Sequence, residues 1–253
     1  MAEIAISTCA YFDLSLSAAL RRIAALCDAA EVRCKGPHGL ETAVGVRAVA
    51  DSGLRCSVHA PEEIDIWSAD CRVREAGIAA HERLLEACAA AGAEVYVVHP
   101  DYSECGVVAR AETRVTLQES FADLHELERI YPVRIVAENM PGLGNSSFVA
   151  PDLDLRGLGL ALDVGHAQVS GTLDTFLETS EIAHAHLHDN LGFGGPDLHL
   201  PLGCGCLPPH RLRQVLQRCD GLCVLEHANE GDVEVSLGHL ERIARAEVIP
   251  SAV

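Results

Sequence analysis

Acidic and imidazole side chains stand at the ends of short apolar runs along much of this 253-residue chain. Ser57-Val-His59-Ala-Pro and Val97-Val-His99-Pro come first. Val136-Ala-Glu138-Asn-Met-Pro-Gly142 and Leu160-Ala-Leu-Asp163-Val-Gly-His166 follow. Next is His184-Ala-His186-Leu-His188-Asp189, then Asp197-Leu-His199-Leu-Pro-Leu-Gly203, and last Val224-Leu-Glu226-His227. Carboxylates and imidazoles forced together repel one another or are desolvated at high cost. A divalent cation at their centre removes the conflict. Mixed imidazole and carboxylate ligation suits zinc, manganese, iron or cobalt better than magnesium or calcium. One histidine at the end of a strand is commonly a hydrogen-bonding or surface residue, but that does not account for six consecutive runs ending this way. His184, His186 and His188 are spaced two apart and point to one face of a strand, so any of them can be the ligand. His81, His125 and His239 fall in helical stretches and are expected at the surface.

These residues need a scaffold that brings distant strand ends together. Strands are expected at Glu3–Ser7, Ala30–Cys34, Arg55–His59, Glu94–His99, Val133–Glu138, Leu158–Asp163, Ile182–His188 and Leu222–Glu226. Helical stretches such as Ser15–Cys27, Val73–Ala91, Val115–Ile130 and Leu207–Arg218 lie between them. Strands flanked by helices imply a parallel sheet with crossovers. Eight such units in one chain of this length imply an α/β fold, a closed (β/α)8 barrel spanning residues 1–253 as a single domain, with its site at the C-terminal ends of the strands. The alternative is an open doubly wound sheet, but no glycine-rich phosphate fingerprint follows the first strand.

Composition narrows the partners. The net charge is −18, from 19 basic and 37 acidic residues, and Lys35 is the one lysine. Polyanion binding needs a basic footprint, so a nucleic-acid partner is disfavoured. Between Arg156 and Arg211 there is neither Lys nor Arg, which points to an unphosphorylated polyol. Phosphate recognition there would rest on backbone N–H groups of the Gly192–Gly195 run. Arg33 and Lys35, at the end of the second strand, are the basic candidates for a substrate contact. No apolar run is long enough to span a bilayer. The start of the chain lacks the basic and apolar regions of a secretory signal, so a cytoplasmic protein is expected. Eleven cysteines are expected to be reduced there, nine of them serving as packing.

In this order and at these strand ends, the motifs resemble the xylose isomerase-like TIM barrel superfamily. That group holds the sugar and sugar-phosphate isomerases and epimerases and endonuclease IV. The resemblance runs from His59 to Glu226, and the Asp197–Gly203 segment is similar to its D-x-H-x-P-x-G loop. It implies Glu138, Asp163, His186 and Glu226 as metal ligands, His186 because it begins an H-x-x-[DE] segment. The endonuclease IV branch implies a larger set, adding His59, His99, His166, Asp197 and His199. One departure is Cys204 where the family's loop usually carries Glu. With Cys206 it leaves thiols beside the site, either as chance replacements or as a ligand.

The resemblance implies a metal-dependent isomerase or epimerase of a small sugar or related hydroxy-carbonyl compound, acting through a metal-stabilised enediolate. Glu138 and Glu226 would be the acid and base, and His59, His99, His188 and Arg33 the substrate contacts. Two alternatives stand beside it. One is an endonuclease IV-like phosphodiesterase acting on abasic DNA, and the other is a non-catalytic metal-binding barrel. The partner expected is a small molecule, with homo-oligomer formation left open.

Overall fold

The computed structural model describes residues 2–101, 110–142 and 146–247. The strands are β1 (Glu3–Ser7), β2 (Ala29–Arg33), β3 (Arg55–His59), β4 (Val95–Val98), β5 (Arg134–Glu138), β6 (Gly159–Asp163), β7 (His184–Leu187) and β8 (Leu222–Leu225). They lie in chain order as a closed barrel, and the parallel pairing of β1 with β8 seals it. The helices are α1 (Leu16–Ile23), α2 (Ala43–Ala50), α3 (Cys71–Ala91), α4 (Arg110–Ile130), α5 (Val164–Ser170), α6 (Leu173–Thr179), α7 (Pro209–Arg218) and α8 (Glu230–Glu247). The expected (β/α)8 barrel is thus the observed one. The alternation is uneven, however. Among the described residues the β5–β6 connection carries no helix, while β6 is followed by both α5 and α6. Pro141, Gly142 and Pro151 interrupt that connection, and each opposes a helix.

Two apolar environments surround the strands. Outward side chains such as Ile6, Val32, Val58, Tyr96, Ile135 and Leu162 pack beneath the helices. Inward side chains close the bottom of the barrel with small aliphatic groups: Ala5, Ala29, Leu222 and Val224 in one cluster, Val97, Val136, Ala161 and Ala183 in another. Because a strand alternates faces, the next inward positions toward the C-terminal ends are Glu31, Ser57 and His184. Beyond them come Arg33, His59, Glu138, Asp163, His186 and Glu226. Register agrees, with Glu31 beside Ser57, Arg33 beside His59 and Asp163 beside His186. The interior therefore changes from aliphatic to ionisable along the barrel axis.

One surface expectation is corrected here. His81 on α3 is 1% exposed and its Nδ1 lies 2.9 Å from the Tyr96 hydroxyl. His125 and His239 are half-buried. Every described cysteine is a free thiol, five of them buried, whereas Cys71 is exposed on α3 and does not serve as packing. Cys105 lies outside the described residues.

Candidate metal centre

Each strand delivers its ionisable side chain because the residues before it are buried and aliphatic, fixing depth and direction. Asn139 then locks two neighbouring ends together. Its Oδ1 accepts from the Asp163 backbone N–H at 2.7 Å, and its Nδ2 donates to the Asp163 carbonyl at 3.1 Å. Asp163 caps α5 by accepting from the His166 backbone N–H at 2.6 Å. Gly165 leaves the room that His188 fills, since a Cβ there would stand 1.9 Å from His188 Cε1. Asp189, the acid of the H-x-x-D segment, is a fastener. Its carboxylate accepts from the backbone N–H groups of Asn190, Gly203, Gly205 and Leu207 at 2.9–3.1 Å.

Five overlapping candidate ligand groups result among the described residues; three of them together take in the mouth's carboxylates and imidazoles, and Glu138 is shared between two of these three. In the central group His186 Nδ1 lies 3.1 Å from Glu138 Oε1, 3.4 Å from Glu226 Oε2 and 3.9 Å from Asp163 Oδ2. In the second, Glu138 Oε2 is 3.1 Å from His59 Nε2 and 3.0 Å from His99 Nε2. In the third, Asp197 Oδ2 lies 3.1 Å from both His166 Nε2 and His199 Nε2. His188 belongs to this group as well. Its Nε2 is 3.0 Å from Asp163 Oδ2, and its ring stacks on His199 with centroids 3.8 Å apart. His199 itself holds a left-handed φ of 48°, a conformation that non-glycine residues adopt at some cost and mainly at functional sites.

The donor chemistry fits a divalent ion. His59 Nδ1 donates to the Ala60 carbonyl at 2.8 Å, and burial, then the Arg33 cation, hold its imidazole below the usual range. Its Nε2 lone pair therefore faces Arg33 Nη1 at 2.8 Å and the Glu138 carboxylate at 3.1 Å. His166 and His199 repeat the arrangement, donating through Nδ1 to the carbonyls of Asn139 and Glu226 at 2.8 and 3.1 Å. A lone pair facing a carboxylate oxygen about 3 Å away is the arrangement a cation would bridge. Without an ion, protons neutralise the site. Burial would lower His166, but Asp163, Asp197 and Glu138 push it up to about 10. His199 rises to about 9 against its burial, through Asp197 and Glu226. Burial would raise Glu138, yet His186 and His99 keep it well below the usual carboxylate range. Glu226 sits at about 2, where His186 and Arg33 overcome its burial.

A cavity of about 1240 Å³ opens onto this centre, lined by Tyr11, Phe12, Arg33, Lys35, Glu226 and His199 among others. Arg33 reaches furthest in, with Nη1 2.8 Å from His59 Nε2 and 3.0 Å from Glu226 Oε1, and it is ion-paired with Glu62. Lys35 stays at the outer rim, paired with Glu63. His59 and His188 are 0% exposed and lie outside the cavity lining. They face Glu138 and Asp163 instead, at 3.1 and 3.0 Å. His99 faces Glu138. Cys204 and Cys206 are exposed and join none of the ligand groups. Sequence reading missed Glu31, which is fully buried and lies 2.9 Å from His184 Nε2 and 3.1 Å from His186 Nε2. Its alternation with Arg33 along one strand was the available signal.

Comparison with known proteins agrees with this architecture. The chain is 26% identical over 254 residues to the uncharacterized protein MJ1614 of Methanocaldococcus jannaschii, covering 96% of this chain and all of that one. Among solved structures, a D-tagatose 3-epimerase-like protein is 25% identical with a TM-score of 0.81, covering 96% of this chain and 97% of that one. The TTHB071 protein of Thermus thermophilus, studied with ZnCl2 soaking, is 27% identical with a TM-score of 0.73, covering 97% and 98%. Endonuclease IV from the same organism shares the fold at 21% identity and a TM-score of 0.65, covering 95% and 99%. Among the described residues no helix is long and apolar enough to cross a membrane. The family of xylose isomerase-like TIM barrels matches residues 17–248, and with its closed barrel this chain belongs to it.

Proposed function

We propose that this barrel is a metal-dependent isomerase or epimerase of a small, unphosphorylated sugar or related hydroxy-carbonyl compound. The observation that carries the reading is the central group, in which the Glu138 and Glu226 carboxylates flank one imidazole nitrogen, with Glu226 on the wall of the cavity. Glu138, Asp163, His186 and Glu226 would hold the ion, whether zinc, manganese, cobalt or iron. When bound it would supply Lewis-acid polarisation of a substrate carbonyl. Glu226 is ionised at neutral pH and reaches the cavity, so it takes the proton from the carbon beside the carbonyl. Glu138, across the group, exchanges a proton at the opposite side of a substrate that enters between them. Arg33 holds Glu226 Oε1 at 3.0 Å and orients the base. Arg33, on the cavity wall, is the nearest candidate for binding substrate hydroxyls. The D-tagatose 3-epimerase-like neighbour supports the same class. The test is metal analysis followed by an isomerisation screen over free ketoses and aldoses. Glu226→Gln, which keeps shape but loses the base, should reduce turnover by about 10²–10⁴-fold with unchanged circular dichroism. Full activity in that metal-loaded variant would remove Glu226 from proton transfer.

A second reading is a phosphodiesterase, favoured by the three adjacent ligand groups. It would bind near three ions per chain. Abasic duplex DNA must be bent and its nucleotide extruded at about a few kcal/mol, offset by Lys and Arg contacts to phosphate. The net charge of −18 opposes this, so no efficient incision is expected with zinc or manganese at low salt. Incision that disappears in Glu138→Ala would promote this reading over the first.

A further inference from the structure

We infer that Glu31 is the positioning residue for the central metal group, setting which nitrogen of His186 offers its lone pair to the ion. The inference rests on the reading of His186 as a ligand. It concerns a carboxylate one layer deeper than any residue of that group.

The His186 ring has two faces to satisfy. Nδ1 points to Glu138, Glu226 and Asp163 at 3.1, 3.4 and 3.9 Å. Nε2 lies 3.1 Å from Glu31 Oε1, an ion-pair distance without hydrogen-bond alignment, and neither atom has a hydrogen-bond partner among the described residues. A neutral imidazole carries one proton. With that proton on Nδ1, the lone pair of Nε2 would face the Glu31 carboxylate in a fully buried place, and the ion would meet an N–H. With the proton on Nε2, that N–H faces the Glu31 carboxylate and Nδ1 turns a lone pair toward the other carboxylates. Only the second arrangement makes His186 a ligand.

Glu31 is itself held so that it can do this. Ser57 Oγ–H donates to its Oε2 at 2.9 Å, and His184 Nε2 lies 2.9 Å from the same oxygen. Oε1 is left to His186. The two supports come from β3 and β7 and Glu31 itself from β2, strands held in register by the barrel. One level below, the interior is filled by Ala5, Ala29, Leu222 and Val224, so an aliphatic side chain suits the barrel's interior. A fully enclosed carboxylate in its place is costly unless paired, and the pairing found leads to the ligand.

The test uses the full-length chain and cobalt(II), read by its visible absorption and by competition with a chelator. Glu31→Gln keeps the volume and removes the charge. Expected are about 10–100-fold weaker binding of the tightest ion and an altered cobalt band. Thermal unfolding of the metal-free variant should match the parent within a few degrees, with Glu31→Asp recovering part of the affinity. Wild-type affinity and spectrum in Glu31→Gln would overturn the inference. So would the loss of one ion with an unaltered band, because Glu31, His184 and His186 would then hold an ion of their own. Should Glu31→Gln not fold, Ser57→Ala removes one support and should weaken cobalt about threefold, and unchanged affinity there also overturns it. A parent protein that takes up no cobalt would overturn the metal reading and this inference together. Absence of sugar turnover alone would count only against the isomerase.

Discussion

His166 at the barrel mouth and His81 between α3 and β4 are both enclosed imidazoles, 6% and 1% exposed. They hold protons in opposite ways. Among the described residues His81 has the Tyr96 hydroxyl as its one hydrogen-bond partner, and burial drops it to about 3. His166 suffers the same penalty, but Asp163, Asp197 and Glu138 reverse it and lift it to about 10. The difference lies in the company of carboxylates, since desolvation acts alike on both rings. A buried histidine among aliphatic and aromatic groups is therefore a neutral packing element. The same residue among shared carboxylates is a place where a proton or a metal ion must sit.

The largest effect should come from taking away the carboxylate that makes the mouth different. Glu138 contacts His59, His99, His166 and His186 at 3.0–3.6 Å and belongs to two ligand groups. Glu138→Gln keeps its shape and removes its charge. Metal content measured after dialysis should fall, because the central group loses one of its charged ligands. Unchanged stoichiometry would mean that Glu138 is a structural partner of four imidazoles and no bridge between sites.

A smaller, local effect is expected from the third group. His199 is supplied by a loop, 33% exposed at its side chain, and Asn190 steadies the neighbouring Asp197 through a 2.9 Å hydrogen bond. His199→Ala should leave the central group's cobalt affinity and spectrum as they were, because His199 lies outside that group. A change in that central spectrum would show that the stacked His188 transmits the loss to Asp163.

Much of this was legible in the sequence, for reasons that differ by residue. Arg55–His59 and Glu3–Ser7 coincide with β3 and β1, short runs buried almost throughout, as strands covered on both faces are. The central ligands were visible because each ends an aliphatic run, and in a closed barrel such ends converge. Which of His184, His186 and His188 serves which layer was invisible to periodicity, since all three face inward. Depth decided it: His184 meets Glu31, His186 meets Glu138, and His188 meets Asp163. Glu31 was missed because it sits within a strand and not at its end. His81 was missed because it was read as polar, although Gly77, His81, Leu84, Leu85 and Cys88 trace the i, i+4, i+7 spacing of a buried helix face.

The smallest effect tests the other side of the comparison. In the unfolded chain His81 titrates near the ordinary value of about 6.5, while in the folded protein burial lowers it to about 3. Between these values the unfolded state binds the additional proton, so stability rises with pH and is lost on acidification. One such group contributes at most about 1.4 kcal/mol per pH unit in that window. The sign is opposite for His166, whose folded value lies above its unfolded one. Its contribution is present below about pH 6.5 and fades as pH rises toward about 10, in protein free of metal. His81→Gln keeps a polar group beside Tyr96 and removes the titration. Denaturant unfolding of the two proteins across pH 4–6 should therefore show a shallower acid slope in the variant, with the same behaviour above pH 7. Equal slopes would mean that His81 finds a proton acceptor when charged, and that the layer between α3 and β4 is less different from the mouth than its side chains indicate.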